Sequence, residues 1–380
     1  MKSGKPELFM QYVDEFRDPE LAKALLQRIR ALVADRPQWT ARPLQLMEVC
    51  GGHTHAIFKF GIDRLLPPEI EFVHGPGCPV CVLPMGRIDA CLEIAARPEV
   101  IFCTFGDAMR VPGRNGSLQD ARRHGADIRV VYSPMDALAL AEQHPDRQVV
   151  FFGLGFETTM PSSALTLQQA KRRGIDNFSL FCQHITIIPT LRSLLQQPDL
   201  RIDGFLAPGH VSMVIGAYPY QPLSAQFHKP FVVTGFEPLD ILQALLMLVQ
   251  QLHDERCEVE NQYRRIVPDS GNVLAQQAMD EVFETKASSE WRGLGEIANS
   301  GMQLRPAYAG FDAELRFKPQ QQRVADEPLS RCGDVLTGRC KPSDCPLFGQ
   351  RCSPQNAIGA LMVSSEGACA AYYQYRRECA

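Results

Sequence analysis

Eight short and almost purely apolar runs recur through the first two-thirds of this chain, with amphipathic stretches between them. Because the runs show no polar alternation, they are typical of strands covered on both faces of a parallel sheet. The amphipathic stretches have the length of crossover helices, so the predicted fold class is α/β. The predicted strands are Leu44–Val49, Ile70–His74, Val100–Thr104, Ile128–Ser133, Val149–Gly153, Phe178–Gln183, Gly204–Ala207 and Phe231–Thr234. The predicted crossover helices include Met85–Ala96, Ser133–His144, Thr158–Arg173 and Pro238–His253.

The order of these elements predicts two similar parallel-sheet α/β domains, residues 41–145 and 146–256, each with four strands. Two strand-to-helix junctions, GLGFETT at 153–159 and TGFEPLD at 234–240, resemble each other, as a duplicated unit would. A single eight-stranded sheet fits the same pattern and stays open as an alternative.

Both ends of the chain depart from this alternation. Residues 1–40 contain one or two amphipathic helices over Glu7–Ala34, and residues 257–380 read as a mostly helical and irregular third lobe with a helix over Asn272–Thr285. The cysteine-rich tail that ends this lobe has too few apolar residues for a core of its own, so a metal centre would supply the missing stability. We expect the N-terminal helices to pack with it.

Composition narrows the function classes. At 380 residues, with 45% hydrophobic and 22% charged residues, the chain matches a globular protein of two or three domains. A net charge of −4 gives no basic face for nucleic acid. The longest apolar segment, Ile241–Val249, is too short to span a bilayer, and no secretory signal is visible. Thirteen cysteines without an export signal predict a reducing, cytoplasmic location where thiols serve metals or redox chemistry.

Six of those cysteines crowd into the last fifty residues, among glycine, proline and serine. Four thiolates on irregular backbone can hold an iron–sulfur cluster or a structural zinc. The roles of Cys340 and Cys379 stay open: either could be a spare thiol near the centre, and Cys340 could compete as a ligand. The four candidate ligands, separated by 12, 6 and 16 residues, are Cys332, Cys345, Cys352 and Cys369.

The motif CGGHTH follows the first predicted strand and precedes a predicted helical stretch, Ala56–Phe60. A cysteine at such a turn lies near the positive end of a helix dipole, so we expect a lowered pKa and a reactive thiolate at Cys50. His53 and His55 add imidazoles that could orient or ligate. The plainer interpretation is a buried cysteine in a glycine turn.

The motif GPGCPVC follows the second strand, so Cys78 and Cys81 should open on the same sheet edge as Cys50. A Cys-X-X-Cys pair can close into a disulfide or form half of a zinc site. We favour a redox dithiol, because the tail cysteines can satisfy a metal by themselves.

Other polar residues also follow predicted strands, and ligands of open α/β sheets bind at the carboxyl ends of strands. His210 in Ala-Pro-Gly-His and Asp107 in Phe-Gly-Asp are candidates, and GLGFETT could cradle an anion although it lacks a Walker A pattern. The remaining cysteines lie inside apolar patterns and are predicted to be small buried hydrophobes: Cys91, Cys103, Cys182 and Cys257.

The motifs CGGHTH, GPGCPVC, GFETT, PGHVS and the cysteine-rich tail with SSEGACAAYY, in this order, resemble the HypD family of [NiFe]-hydrogenase maturation proteins over nearly the whole chain. The resemblance implies that Cys50 binds an iron on which the Fe(CN)₂CO group is assembled. Cys78 and Cys81 would be the redox-active pair and further candidate ligands, with His53 and His210 beside them. The implied ligands of a [4Fe–4S] cluster are Cys332, Cys345, Cys352 and Cys369.

The same resemblance implies partners: a small chaperone, HypC, that shares the iron, and HypE, which delivers cyanide with HypF. A rival hypothesis from another class is a thiol–disulfide oxidoreductase in which the cluster reduces the Cys78–Cys81 disulfide. A nucleotide-dependent enzyme using GLGFETT and a purely structural zinc tail are the remaining alternatives.

Overall fold

Parallel strands joined by helices make up most of the protein. The computed structural model describes residues 14–36, 38–320 and 323–376. The strands are β1 (Leu44–Glu48), β2 (Ile70–His74), β3 (Val100–Thr104), β4 (Ile128–Val130), β5 (Gln148–Gly155), β6 (Phe178–His184), β7 (Gly204–Pro208), β8 (Phe231–Thr234), β9 (Val259–Asn261), β10 (Phe283–Thr285), β11 (Ser288–Trp291), β12 (Gly295–Ala298) and β13 (Met302–Leu304). All eight predicted strands are therefore confirmed as β1 to β8.

The α-helices are α1 (Pro19–Ala34), α2 (Gln38–Ala41), α3 (Gly51–Lys59), α4 (Ile62–Leu65), α5 (Met85–Ala95), α6 (Leu118–Arg123), α7 (Pro134–Gln143), α8 (Met160–Arg173), α9 (Ile187–Leu195), α10 (Gly209–Ile215), α11 (Gln221–Phe227), α12 (Pro238–His253), α13 (Val273–Val282), α14 (Ala313–Phe317), α15 (Cys332–Leu336) and α16 (Ala368–Arg376). Short 3₁₀ helices cover Asp14–Arg17, Gly106–Arg110, Tyr218–Tyr220, Pro306–Phe311, Pro342–Asp344 and Ala360–Met362. The four predicted crossover helices are present as α5, α7, α8 and α12. The predicted N-terminal helix is present as α1, and its first part, before residue 14, lies outside the described residues.

The strands form two parallel sheets, which confirms the α/β class and excludes the single eight-stranded sheet. The five-stranded sheet has the order β2-β1-β7-β8-β9, and the four-stranded sheet has the order β4-β3-β5-β6. The sheets are not the two consecutive sets of four strands that the sequence predicted. The chain leaves the first sheet after β2, builds the second with β3 to β6, and returns through β7. The boundaries at 41–145 and 146–256 therefore do not coincide with the sheets.

Parallel pairing brings distant strands together. Leu46 of β1 lies opposite Phe72 of β2 on one side and Gly204 of β7 on the other. Since parallel strands have their carboxyl ends at one edge, the loops after β1, β2, β7 and β8 meet there.

Apolar layers cover both faces of the sheets. One core is shared by both sheets and includes Met47, Phe102 and Phe205, and it continues into the tail through Leu361. A second core lies between the four-stranded sheet and helices α7, α8 and α13. In a third, α1 packs with α12 on the five-stranded sheet. That core contains no described residue of the tail, although the Arg265 guanidinium lies 4.0 Å from the centroid of the Phe16 ring just before α1. The packing of the N-terminal helices with the C-terminal lobe stays a prediction.

The region after residue 257 contains more strand than predicted. β9 extends the five-stranded sheet, and β10–β13 and β11–β12 are antiparallel pairs. The predicted helix Asn272–Thr285 ends early, because its last three residues form β10. The tail shares the central core and lies close to β2: a Cβ on Gly338 would be 2.7 Å from Val73 Cγ1. Within the described residues the tail is thus packed against the sheets and does not form a core of its own.

Helices α1 and α12, the longest, have 16 residues each. Across residues 14–36, 38–320 and 323–376, no helix combines the length and apolar character needed to cross a bilayer.

Candidate functional site

The CGGHTH motif lies at the start of a helix. Cys50 is the N-cap of α3, and its carbonyl accepts hydrogen bonds from the N–H groups of His53 (2.9 Å) and Thr54 (3.1 Å). The helix begins five residues earlier than the predicted stretch Ala56–Phe60, because Gly51 and Gly52 adopt helical geometry despite their low propensity. Cys50 thus stands where β1 ends and the N–H groups of the first turn are free of helical partners.

A buried carboxylate that the sequence analysis missed organises this turn. Glu48 is fully buried, and its Oε2 accepts the Cys50 N–H at 2.9 Å. Its Oε1 accepts the Thr54 hydroxyl and lies 2.8 Å from His74 Nδ1. The only sequence signal was an acidic residue inside an apolar strand, which is rarely buried without partners.

The environment of Cys50 overturns the prediction of a lowered pKa. Burial raises the pKa of the Cys50 thiol above its usual range, and the carboxylates of Glu48 and Glu366 raise it further. The N–H groups of Gly52 and His53 act in the opposite direction but more weakly. The helix dipole, which would lower the pKa of Cys50, is therefore outweighed by burial and by the two neighbouring carboxylates, which raise it.

The GPGCPVC loop packs directly onto the Cys50 turn. The Gly51 N–H donates to the Gly77 carbonyl at 3.2 Å, and a Cβ on Gly77 would lie 2.0 Å from the Cys50 nitrogen. Cys78 and Cys81 are both buried, with their Sγ atoms 2.7 Å apart. Burial raises the pKa of Cys81, and the adjoining Cys78 thiol raises it further. The two sequence motifs are thus in contact, as their places after neighbouring strands predicted.

The four predicted tail ligands line one small cavity, whose other walls are largely apolar and include Leu347 and Met362. The cavity contains Cys332, Cys345, Cys352 and Cys369. The Ser330 hydroxyl donates to Cys332 Sγ at 3.3 Å, and the Gly359 N–H donates to Cys352 Sγ at 3.5 Å. A Cβ on Gly359 would lie 2.5 Å from Cys332 Sγ, so any other residue there would have to displace this thiol.

The chemistry of this cavity suits a cluster. Four soft sulfur donors, hydrogen-bond donors aimed at sulfur, and an apolar wall are the surroundings of iron–sulfur clusters. In the part of the chain that the structure describes, no three His, Cys, Asp or Glu side chains converge as they would around one metal ion.

The two spare tail thiols have different outcomes. Cys340 lines a surface groove that is distinct from the four-cysteine cavity. His74 of β2 and Lys341 line the same groove. Cys379 lies outside the described residues.

The tail also reaches the two upstream motifs. Glu366 lies against the Cys50 turn, since a Cβ on Gly51 would be 2.5 Å from Glu366 Cβ. A Cβ on Gly367 would be 3.1 Å from Cys81 Sγ. Burial raises the pKa of Glu366, and Asp107 and Glu48 raise it further. The motif SSEGAC therefore joins the cluster cavity, the dithiol and Cys50, and Glu366 was not singled out from the sequence.

The two candidate histidines meet on one aromatic ring. His53 stacks on Phe236 with ring centroids 4.6 Å apart, and His210 stacks on the same ring at 4.0 Å. His53 is buried and its Nε2 lies 3.3 Å from the Thr234 carbonyl, whereas His210 is exposed. Burial lowers the pKa of His53 to about 4, so the ring is neutral at neutral pH.

The GLGFETT turn contains a buried acid. Glu157 Oε1 accepts the Ile187 N–H at 3.1 Å, and Oε2 has no partner among the described residues. Burial raises the pKa of Glu157 to about 7. A carboxyl group that becomes negative near neutral pH would repel phosphate, so this turn does not favour the nucleotide alternative. Asp107 is exposed on the 3₁₀ helix Gly106–Arg110 and lies near Glu366.

The isolated cysteines mostly follow the prediction. Cys91, Cys103 and Cys182 are buried, as expected for small apolar side chains. Cys257 is exposed, and the prediction for it is wrong because it lies in the connection between α12 and β9.

Comparison with known proteins gives a consistent result. The family model described as "HypD: Hydrogenase formation hypA family" matches residues 20–376. The hydrogenase maturation factor HypD of Escherichia coli (strain K12) is 65% identical over 369 residues, covering 97% of this chain and 99% of that protein. The HypD protein of Rhodobacter capsulatus is 57% identical, covering 96% of this chain and 98% of its own length. That of Rhizobium leguminosarum bv. viciae is 52% identical, covering 97% and 96%.

Proposed function

Because this chain belongs to the HypD family of hydrogenase maturation factors, we propose that it is an iron-binding, redox-active scaffold for assembly of the Fe(CN)₂CO group of [NiFe]-hydrogenase. The observation that carries the proposal is the meeting of three segments at the carboxyl ends of β1 and β2. The Cys50 turn, the Cys78–Cys81 loop and the Glu366–Gly367 segment of the tail contact one another there.

In this proposal the iron is the cargo and Cys50 is its first ligand. A thiolate is a soft donor that suits iron carrying cyanide and carbon monoxide. Since the free thiol has a raised pKa, iron binding must displace its proton. Cys78 and Cys81 are further candidate ligands of the same iron.

The dithiol and the tail cavity would supply electrons. Cys78 and Cys81 are close enough to form a disulfide, so together they can store two electrons. A [4Fe–4S] cluster held by Cys332, Cys345, Cys352 and Cys369 would supply electrons singly. Gly367, packed on Cys81 and two residues before Cys369, supports a short path between the two centres.

The proposed partners follow from the family resemblance. A HypC-like small chaperone would share the iron, and HypE, acting with HypF, would donate cyanide. The exposed His210 beside the Cys50 turn supports access from outside the protein.

The second candidate function is a thiol–disulfide oxidoreductase. The close contact between Cys78 and Cys81 and the nearby tail favour it. It differs from the scaffold in one requirement: a reductase needs the dithiol, whereas Cys50 would be dispensable.

Infrared spectroscopy of the anaerobic complex with the small chaperone tests the scaffold. We expect Cys50→Ala to lose the cyanide and carbonyl bands and hydrogenase maturation while keeping its fold and its iron–sulfur content. Cys257→Ala, which removes an exposed thiol outside the site, is the matched control and should keep all bands. Normal bands in Cys50→Ala would contradict the scaffold. Loss of activity only on replacing Cys78 or Cys81 would favour the reductase. A colourless protein would indicate zinc in place of the cluster.

A further inference from the structure

Phe236 lies at the junction of three loops that carry the candidate site. It is the second residue after β8, whereas His53 belongs to α3, after β1, and His210 to α10, after β7. The three strands are neighbours in the five-stranded sheet, so their loops adjoin at one edge.

Both imidazoles stack on the Phe236 ring. The interplanar angles are 29° for His53 and 24° for His210, so each pair is close to parallel. The ring also lies against the Cys50 turn: a Cβ on Gly52 would be 2.9 Å from Phe236 Cε1 and 3.7 Å from His210 Cε1. Gly52 therefore leaves the space in which the ring and the exposed imidazole approach the first turn of α3, which follows Cys50.

The two histidines differ in how they are held. His53 is buried and is also fixed by its contact with the Thr234 carbonyl. His210 is exposed, and no side-chain hydrogen bond fixes its ring among the described residues. Stacking on Phe236 is thus the contact that sets the plane of the His210 ring.

We infer that Phe236 is a positioning residue, which holds the His210 imidazole beside Cys50 so that its N–H edge meets the diatomic ligands of the bound iron. This inference rests on the proposed function, because it concerns the cargo at Cys50. An imidazole N–H can donate a hydrogen bond to the nitrogen of cyanide or the oxygen of carbon monoxide. Phe236 itself touches no cargo and acts through His210.

The first test measures the stack without any iron. In the full chain with labelled histidine, the His210 ring protons should be shifted upfield by the Phe236 ring current, and His210→Gln assigns the signal. Phe236→Leu, of similar volume but without a ring, should lose the shift, and Phe236→Tyr should keep it. An unshifted His210 signal in the wild-type protein would overturn the inference.

The second test measures cargo. In the anaerobic complex with the small chaperone, Phe236→Leu and His210→Gln should each lower the cyanide and carbonyl band intensity per cluster by about tenfold, as misplacement of a positioned group does. Phe236→Tyr, which keeps an aromatic ring, should keep the band intensity of the wild-type protein. Adding Phe236→Leu to His210→Gln should cause no further loss, because both changes remove one interaction.

Full bands in His210→Gln, or a full additional loss in the double variant, would overturn the role of Phe236 even if Phe236→Leu folds poorly. Failure of the scaffold itself has a different signature. In that case Cys50→Ala keeps its bands, while the ring-current shift of His210 is unaffected.

Discussion

At the scale of single residues, two buried carboxyl groups differ in how many of their oxygens accept hydrogen bonds. Glu48 is fully buried but accepts hydrogen bonds on both oxygens, so its burial is compensated. Glu157 is also buried, yet one oxygen has no partner in the described part of the chain. Burial raises the pKa of Glu157 to about 7, which has a measurable effect on stability.

Replacing Glu157 by Gln should change how stability depends on pH. Folding raises the pKa of Glu157 from its ordinary 4.5 to about 7, so the folded state holds the proton longer than the unfolded chain. The stability that protonated Glu157 contributes to the folded state is fully present below pH 4.5 and is lost as the pH rises through 7. The free energy of unfolding of Glu157→Gln minus that of wild type should therefore be larger at pH 8 than at pH 5, by on the order of 2–3 kcal/mol.

Denaturant unfolding of both proteins at the two pH values measures this difference. The glutamine Oε1 can still accept the Ile187 N–H, so the helix start is preserved in the variant. His53 and His184, whose pKa values are lowered to about 4 by burial, titrate equally in both proteins and cancel. An equal difference at pH 5 and pH 8 would show that Glu157 is ionised throughout.

Sequence reasoning found most of the site residues but not their electrostatics. Cys50, Cys78 and Cys81 were identified because cysteine and glycine cluster at strand ends. The predicted direction of the Cys50 pKa shift was wrong, since the shift depends first on burial by the fold and then on Glu48 and Glu366, the last of which comes from the far end of the chain. Phe236 was visible only as part of a repeated motif, because stacking partners leave no local pattern.

At the scale of elements, the contact between two loops builds the site. The Gly75 N–H donates to the Glu48 carbonyl at 2.8 Å, and Gly77 lies against the backbone of Cys50. The loop after β2 thus continues the β1–β2 pairing beyond the strands. Glycine is required at 77 because the two backbones leave no room for a side chain.

Gly77→Ala should therefore separate the dithiol loop from the Cys50 turn. Its methyl group would lie 2.0 Å from the Cys50 nitrogen, and we expect the free energy of unfolding to fall by about 1–3 kcal/mol or more. Maturation activity should fall with it, while iron–sulfur content is retained. Gly106→Ala is the control, because its nearest contact would be an ordinary 3.7 Å to Val130.

Thermal unfolding and iron analysis of the two glycine variants measure the effect. Equal stability of Gly77→Ala and Gly106→Ala would mean that the two loops separate without cost. Loss of the cluster in Gly77→Ala would mean that the tail depends on this loop as well.

Elements with strong apolar runs were predicted well, and weakly patterned ones were not. Most of the strands β1 to β8 are compact and buried on both faces, so composition alone identifies them. β11 and β12, by contrast, have only one buried residue each and carry exposed polar residues such as Ser288 and Glu296. The early start of α3 was missed because two glycines normally argue against a helix.

At the scale of the whole molecule, the pairing of strands was the main failure of sequence reasoning. A run buried on both faces does not specify its neighbours, and we assigned neighbours by order along the chain. In the structure, β1 pairs with β7, and four strands of the other sheet are inserted between β2 and β7. The shared core explains the arrangement, since both sheets contribute side chains to it.

The tail packs on the core that both sheets share, and the four cysteines that we propose as cluster ligands should be needed to keep it folded there. Cys352→Ala removes one of the four thiols that line the cavity, and no other cysteine among the described residues lines it, so iron and sulfide should fall to background and the tail should become sensitive to protease. Cys340→Ala is the matched control, because its side chain lines the separate groove. It should keep both iron and sulfide. Full content in Cys352→Ala, or loss in Cys340→Ala, would require a different ligand set.

The late position of β7 has a consequence for how the protein is made. The strands of the four-stranded sheet all precede residue 185, so a nascent chain can pair them before β7 has been translated. β1 is synthesised earlier still, but its inner neighbour begins only at Gly204. Until β7 has been translated, one edge of β1 has no strand to pair with. Long-range pairing is slow, and an unpaired strand edge can associate with other chains. The Cys50 turn, which follows β1, can therefore fold fully only after β7 has paired with β1.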